Sequence, residues 1–312
     1  MDTYIISLNN PTSLIDEVKN YGLNPILVKG VIGNSLSQQE IYDNASYFYK
    51  YIGPKSAIGI GMSHINVWKK FIESNKPNCL ILEDDALFED NFIEKLNVGL
   101  KNTPSDYDIL YLGCFGCQSQ FNYLSIFHMK FNYVKINDYV SIPGIALATH
   151  GYIVSREGAI KLVKYLDKNI FAHIDYSIQH FHMKKLINEY VLNERIVYQS
   201  STDSAISTNK SNTHPYLLSH ILSHFYSDKY YRSNYDANVS LIQIGLFHGT
   251  MSSLLFLIIG IVCAYYKVNL YNITGFYILL NIPDILYTNN ELPIFIHYFL
   301  LTIPSLIKNK NN

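Results

Sequence analysis

The chain has 312 residues, enough for one or two domains with a proper core. Its formal net charge of -1 supplies no global field toward nucleic acid, so no nucleic-acid partner is expected. Charged residues make up 16% of the chain, below the roughly 25% usual in soluble domains. Its four cysteines, Cys79, Cys114, Cys117 and Cys263, are too few for a disulfide framework. Cys79 sits in an apolar run and reads as core. Cys114 and Cys117 form a C-x-x-C with no second pair to complete a zinc site, so reduced structural thiols are expected.

The N-terminus enters strand-like sequence at once, with Tyr4-Ile5-Ile6-Ser7-Leu8. It lacks the basic start, apolar core and cleavage site of a signal peptide, so no cleaved leader is expected. Residues 23–28 hold a second short apolar run. Gly59-Ile60-Gly61 reads as a glycine-rich turn ahead of Ser63-His64 and a helix. Met62, Ile65, Trp68, Phe71 and Ile72 recur at helical spacing, and Pro77 ends that helix. Cys79-Leu80-Ile81-Leu82 has the continuous apolar character of a buried strand. Phe92, Ile93, Leu96 and Leu100 repeat the helical period and Pro104 closes it. Ile109-Leu110-Tyr111-Leu112 is a further strand, ended by Gly113. Residues 114–140, rich in Phe, Tyr and Asn, read as an insertion or loop. Residues 145–155 are strand-like, and Ser155 is placed to cap a following helix with Glu157 in its first turn. Ile160, Val163 and Leu166 line one side of that helix. This alternation predicts an α/β sheet over residues 1–225.

The tail is different. Residues 237–266 contain no Asp, Glu, Lys or Arg. A spanning helix needs about 20 apolar residues, so this run predicts a membrane span. Shorter apolar stretches follow up to residue 307 and read as re-entrant or interfacial. Residues 226–312 are therefore expected to form an apolar helical extension with membrane contact through 237–307. The plain alternative is a buried helical subdomain. Lys229 and Arg232 before the run outnumber Lys267 after it, which favours a cytoplasmic main domain.

The sharpest feature is Leu80-Ile81-Leu82-Glu83-Asp84-Asp85: three carboxylates directly after a buried strand. Like charges packed there repel and resist desolvation, and a divalent cation removes the conflict. Oxygen ligands suit Mg²⁺ or Mn²⁺, and strand ends are where open α/β sheets bind ligands. The plain alternative is a solvated acidic turn. Tyr152 and Trp68 read as core. Gly59-x-Gly61 lacks the third glycine and distal acid of a dinucleotide fingerprint.

In order along the chain stand Gly59-Ile60-Gly61-Met62-Ser63-His64, then Glu83-Asp84-Asp85, then Asp108-Ile109-Leu110-Tyr111-Leu112-Gly113. Thr149-His150-Gly151-Tyr152-Ile153-Val154-Ser155 follows with Gly158-Ala159, then Asp175, then Tyr198-Gln199 with Ser204 and Ile206. This series resembles glycosyltransferase family 25, which includes lipooligosaccharide and collagen hydroxylysine galactosyltransferases, over about residues 3–207. The chain departs from that pattern in three places. Asn9 and Asn10 stand where the family has an arginine, Ser56-Ala57 where it has Gly-Glu, and Ile60 where it has Cys.

The resemblance implies a GT-A-like mixed sheet flanked by helices. It also implies an inverting, metal-dependent transfer of a hexose, galactose or glucose, from a UDP-sugar to a hydroxyl of a glycan or hydroxylysine. On that reading Asp85 is the metal ligand, with Glu83 also touching the metal. Glu83, Asp84, Ser63 and His64 serve the donor site, and Asp175 is the base. Asp175 also suits a helix cap. His173, His180 and His182 lie close to it in sequence and offer a further metal ligand or ordinary polar surface. Two rivals remain: a non-catalytic nucleotide- or glycan-binding domain at a membrane, and a metal-dependent hydrolase. The lack of a second acidic cluster argues against the hydrolase.

Overall fold

The computed structural model of the protein describes residues 1–115, 117, 123–124, 129–130, 133–200, 215–217, 239–245, 247–287 and 292–310. The chain divides into two compact units, Met1–Ser201 and Thr202–Asn312.

The first unit runs β1 (Asp2–Ser7), α1 (Thr12–Asn20), β2 (Asn24–Lys29), α2 (Gln38–Asn44), α3 (Tyr49–Ile52), α4 (Lys55–Glu73), β3 (Asn78–Glu83), β4 (Ala86–Phe88), α5 (Phe92–Asn102) and β5 (Ile109–Phe115). It continues through short strands β6 (Tyr123–Leu124), β7 (Met129–Lys130), β8 (Val134–Lys135) and β9 (Val140–Ile142). Then come β10 (Leu147–Ser155), α6 (Arg156–Leu166), α7 (Ile174–Met183), β11 (Glu189–Leu192) and β12 (Val197–Gln199).

Eight strands form one mixed sheet in the order β2-β1-β3-β10-β5-β11-β9-β8. β1 is parallel to both β2 and β3, and β11 is parallel to β5, while β10 runs antiparallel between β3 and β5. Both faces are covered over the inner strands β1, β3 and β5, which is why those are apolar without alternation. Cys79 and Ile81 of β3 pack with Trp68 and Phe71 of α4, Leu162 of α6 and Ile178 of α7. Leu80 and Leu82 pack on the other face with Leu14 and Val18 of α1 and Phe92 and Leu96 of α5.

Three local expectations are corrected. Gly59 and Gly61 lie inside α4, which starts directly after Pro54, and form no turn. Gly59 is required by a close approach, because a Cβ there would fall 2.7 Å from the Val31 carbonyl oxygen. On α6 the buried residues are Gly158, Ala159, Leu162 and Leu166, and Val163 packs on the core beside them, so Val163 and Leu166 face inward as read by period while Ile160 is exposed. Its cap is as expected: Ser155 Oγ accepts from Gly158 N at 3.0 Å. Cys114 and Cys117 are joined by a disulfide, which the end of β5 permits by bringing their Cα atoms to 5.9 Å.

The second unit contains the hairpin β13 (Ser240–Ile244) and β14 (Phe247–Thr250), then α8 (Met251–Tyr265), α9 (Leu270–Leu280), α10 (Ile282–Tyr287) and α11 (Leu292–Lys310). Phe256, Ile273, Tyr277 and Leu301 form its core. Gly260 lets α8 approach α11, since a Cβ there would meet Leu301 O at 2.4 Å. Among the described residues no helix is long and apolar enough to cross a membrane, which corrects the predicted span. The uncharged run is divided: its first part forms the hairpin, and Thr250 then caps α8 by accepting from Ser253 N. The remaining 15-residue helix is about 22 Å long against a hydrocarbon thickness of about 30 Å.

Candidate active site

The parallel neighbours β1 and β3 end at one edge of the sheet. Ile6 is paired with Glu83, so the next residues, Ser7 and Asp84, meet, and Ser7 Oγ donates to Asp84 Oδ2. β10 runs the opposite way with Gly151 opposite Leu82, which delivers Thr149 and His150 to the same edge. Thr149 Oγ1 donates to Glu83 Oε1 at 2.6 Å.

From α4, buried His64 places Nε2 at 3.5 Å from Glu83 Oε1, an electrostatic contact without hydrogen-bond geometry. Its Nδ1 is 2.9 Å from the Tyr152 hydroxyl, which also accepts from Trp68 Nε1 at 3.0 Å. An indole N–H can only donate, so the Tyr152 proton is free to go to His64 Nδ1. That arrangement assigns the imidazole proton to Nε2, facing Glu83. Trp68 and Tyr152 are fully buried, as the core reading expects.

The three carboxylates are not equivalent. Burial pushes the Glu83 pKa up, but His64, Thr149 and His150 together outweigh it and hold the group below its ordinary value. Asp85 is pushed up to about 8, first by burial and then by the charges of Glu83 and Asp84, against a lowering hydrogen bond from Gln199. Gln199 Nε2 donates to Asp85 Oδ2 at 2.9 Å, and Ser200 N donates to the Asp85 carbonyl at 2.8 Å. Among the described residues Asp85 Oδ1 is buried with no hydrogen-bond partner. Among the described residues no group of three or more His, Cys, Asp or Glu side chains converges as a ready metal cage. The donor set still fits a hard divalent cation that takes one or two carboxylates and completes its shell with phosphate oxygens and water. Asp85 offers the open oxygen, and Glu83 Oε1 is already engaged.

Ser63 is not brought to the triplet by any hydrogen bond. Its Oγ donates to Gly59 O and accepts from Val31 N, both at 2.8 Å, latching the segment after β2 onto α4. Asp175 sits in the first turn of α7, whose N-cap position is held by His173. Its Oδ2 accepts from Ala148 N at 3.0 Å and its Oδ1 from Tyr176 N at 2.8 Å. Consecutive residues of β10 therefore touch both carboxylates, Ala148 to Asp175 and Thr149 to Glu83. Ala148 has φ 71, a left-handed conformation unusual for alanine, and Asp175 secures it. The three histidines do not gather on Asp175: His180 packs edge-on against Phe171, and burial lowers the pKa of His182.

Thr149, Gln199 and Ser7 were not singled out from sequence as contacts of the carboxylates. The available signal lay in Gly113 and Gly151. A Cβ at Gly113 would meet Val197 O at 1.8 Å, and one at Gly151 would meet Val197 Cγ1 at 2.5 Å. Both glycines let β12 cross the sheet's edge and bring Gln199 to Asp85. Ser204 and Ile206, quoted from the closing motif, lie outside the described residues.

The profile of glycosyltransferase family 25 (LPS biosynthesis protein) matches residues 1–178, from β1 into α7. A glycosyltransferase 25 family member of Anopheles gambiae is 26% identical over 175 residues, covering 52% of this chain and 28% of that protein. Procollagen galactosyltransferase 2 of Homo sapiens is 30% identical over 148 residues, covering 44% and 22% respectively. The aligned part thus spans about a quarter of the length of these curated relatives. The crystal structure of A197 from STIV overlaps 64% of this chain and 84% of its own at 11% identity, with a TM-score of 0.33, too low to carry the fold. With motifs in order, a carboxylate-bearing strand end and a profile match over more than half its length, this chain belongs to glycosyltransferase family 25.

Proposed function

We propose that the protein is an inverting, metal-dependent hexosyltransferase that moves galactose or glucose from a UDP-sugar to a hydroxyl of a glycan or hydroxylysine. The observation that carries this reading is the buried Asp85 oxygen, without a hydrogen-bond partner among the described residues, beside Glu83 and Asp84 at the end of β3. The names of the relatives, among them procollagen galactosyltransferases, support galactose as the sugar. The mixed sheet is read as GT-A-like, with the donor over β1 and β3 and the acceptor toward α7.

Asp85 would hold Mn²⁺ or Mg²⁺ on the donor diphosphate, with Glu83 and Asp84 beside it. Bound there, the ion supplies Lewis-acid stabilisation of the charge that grows on the leaving diphosphate. Glu83, kept ionised by His64 and Thr149, fixes the negative field of the site. Asp175 would accept the proton of the acceptor hydroxyl as that oxygen attacks the anomeric carbon, so one displacement inverts the centre. The exposed apolar residues of the second unit, among them Ile258 and Ile261 of α8 and Phe295 and Phe299 of α11, support contact with a bilayer surface through residues 237–307.

The test is release of UDP from a panel of UDP-sugars with Mn²⁺ and glycan or hydroxylysine acceptors. Asp85→Asn is expected to abolish turnover, on the order of a hundredfold or more, with the fold intact. Unchanged turnover would sink the metal assignment. The binder reading is motivated by Asn9, Asn10, Ser56 and Ala57 at positions where relatives carry Arg and Gly-Glu. It predicts UDP binding with neither transfer nor donor hydrolysis.

A further inference from the structure

An aromatic cluster stands in water between α2 and α4. Tyr47 is 70% exposed, Phe48 75% and Tyr51 56%, with Tyr42 beside them. The rings meet edge to face, with centroids at 5.8 Å for Tyr42–Tyr51, 5.4 Å for Tyr47–Phe48 and 6.1 Å for Tyr47–Tyr51. The Lys50 ammonium lies 5.1, 4.9 and 5.2 Å from the ring centroids of Tyr42, Tyr47 and Tyr51. Among the described residues no carboxylate forms an ion pair with Lys50. Contiguous exposed rings of this kind mark a binding surface more often than a fold requirement.

The cluster is tied to the candidate acceptor side. Ser46 N donates to Ile170 O at 2.8 Å and Ile170 N to Asn44 O at 2.9 Å, pairing this segment with the stretch that leads into α7 and Asp175. On α3 itself, Tyr49 turns inward: it is buried, and among the described residues its hydroxyl has no hydrogen-bond partner. Its pKa is raised by burial and then by the charge of Asp175, which places that carboxylate within electrostatic reach. The segment from α2 through α3 thus shows Tyr42, Tyr47, Phe48 and Tyr51 to solvent and buries Tyr49.

We propose that Tyr42, Tyr47, Phe48 and Tyr51 form the acceptor platform, and that the acceptor is a saccharide carrying a carboxylate or phosphate within reach of Lys50. The inference rests on the transferase reading for the word acceptor. Aromatic faces pack against the C–H faces of a pyranose, while tyrosine hydroxyls meet its hydroxyl groups. Lys50, held over rings and without a carboxylate partner, supplies a countercharge for an anion. It would repel a lysine-rich peptide, so the platform selects an acidic glycan over a basic polypeptide.

Full-length protein is titrated calorimetrically with a uronic-acid oligosaccharide, a phosphorylated oligosaccharide and a neutral one of equal length, at low and high salt. Acidic ligands are expected to bind more tightly than neutral ones, and salt should shrink the difference. The triple variant Tyr47→Ala/Phe48→Ala/Tyr51→Ala should weaken binding about tenfold or more, and Lys50→Ala should erase the acidic preference. Because these side chains are exposed, thermal unfolding should be unchanged. In transfer assays the same variants should raise the acceptor KM while leaving acceptor-free donor hydrolysis untouched.

Variants that bind glycans as the parent does, or a parent that binds none of the three, overturn the platform. Binding of anionic vesicles that depends on these residues, without glycan binding, also overturns it in favour of a lipid surface. Transfer with an unaltered acceptor KM overturns the platform alone. Glycan binding at these residues with no UDP release from any donor overturns the transferase reading alone.

Discussion

Glu83 and Asp85 carry the same functional group two residues apart, yet their surroundings drive their pKa values in opposite directions. Part of what lowers Glu83 is His64, whose Nδ1 meets a Tyr152 hydroxyl that also serves Trp68. Tyr152→Phe strands two buried nitrogens and should cost about 1–3 kcal/mol, read as a lower urea midpoint. It should also raise the donor KM as His64 loses its orientation, and an unchanged midpoint would show that the network carries no stability.

Glu189 offers a separate test. It is buried on β11 with both carboxylate oxygens unpartnered among the described residues, and burial pushes its pKa up to about 8. The folded state then keeps a proton that the unfolded chain releases near pH 4.3. Stability from this residue is fully present below that value, declines as pH rises toward about 8, and is flat beyond. The decline is at most about 1.4 kcal/mol per pH unit crossed. Glu189→Gln should therefore gain over the parent as pH rises through this window. Denaturant melts at both ends check it, and equal midpoints throughout refute a buried neutral carboxyl.

Among the elements, β12 closes the site. It pairs antiparallel with β4, Gln199 opposite Ala86, and crosses the sheet's edge over Gly113 and Gly151. Gly113→Ala would drive a methyl into the Val197 carbonyl, and backbone cannot yield as a flexible side chain can. A loss of about 1–3 kcal/mol is expected from the forced shift. Because Val197 leads to Gln199, the variant should also lose donor affinity, measurable by UDP titration. A stable variant with unaltered UDP binding would show that β12 does not hold Asp85 in place.

For the whole molecule, the first unit has its own two cores, one on each face of the eight-stranded sheet, and the second unit has a core of its own. Residues 1–201 expressed alone should unfold in one cooperative transition with the circular dichroism of a mixed α/β protein. Only the full chain should co-sediment with vesicles if residues 237–307 make the membrane contact. Aggregation of the 1–201 fragment would instead show that the second unit completes the first one's core.

Much of this protein was determined by sequence alone. The buried strands β3 and β5, the Ser155 cap and the core roles of Trp68 and Tyr152 rest on period or local chemistry, which needs no partner to be read, and the family motifs rest on resemblance. The α4 start, the Cys114–Cys117 bridge, the fate of residues 237–266 and the contacts of Thr149 and Gln199 were decided only by tertiary structure. A glycine admitted for a neighbour's backbone looks like a turn, and an uncharged run reads the same as span, hairpin or packed helix. Which side chain meets Asp85 depends on a strand more than a hundred residues away, and only the folded sheet sets that distance.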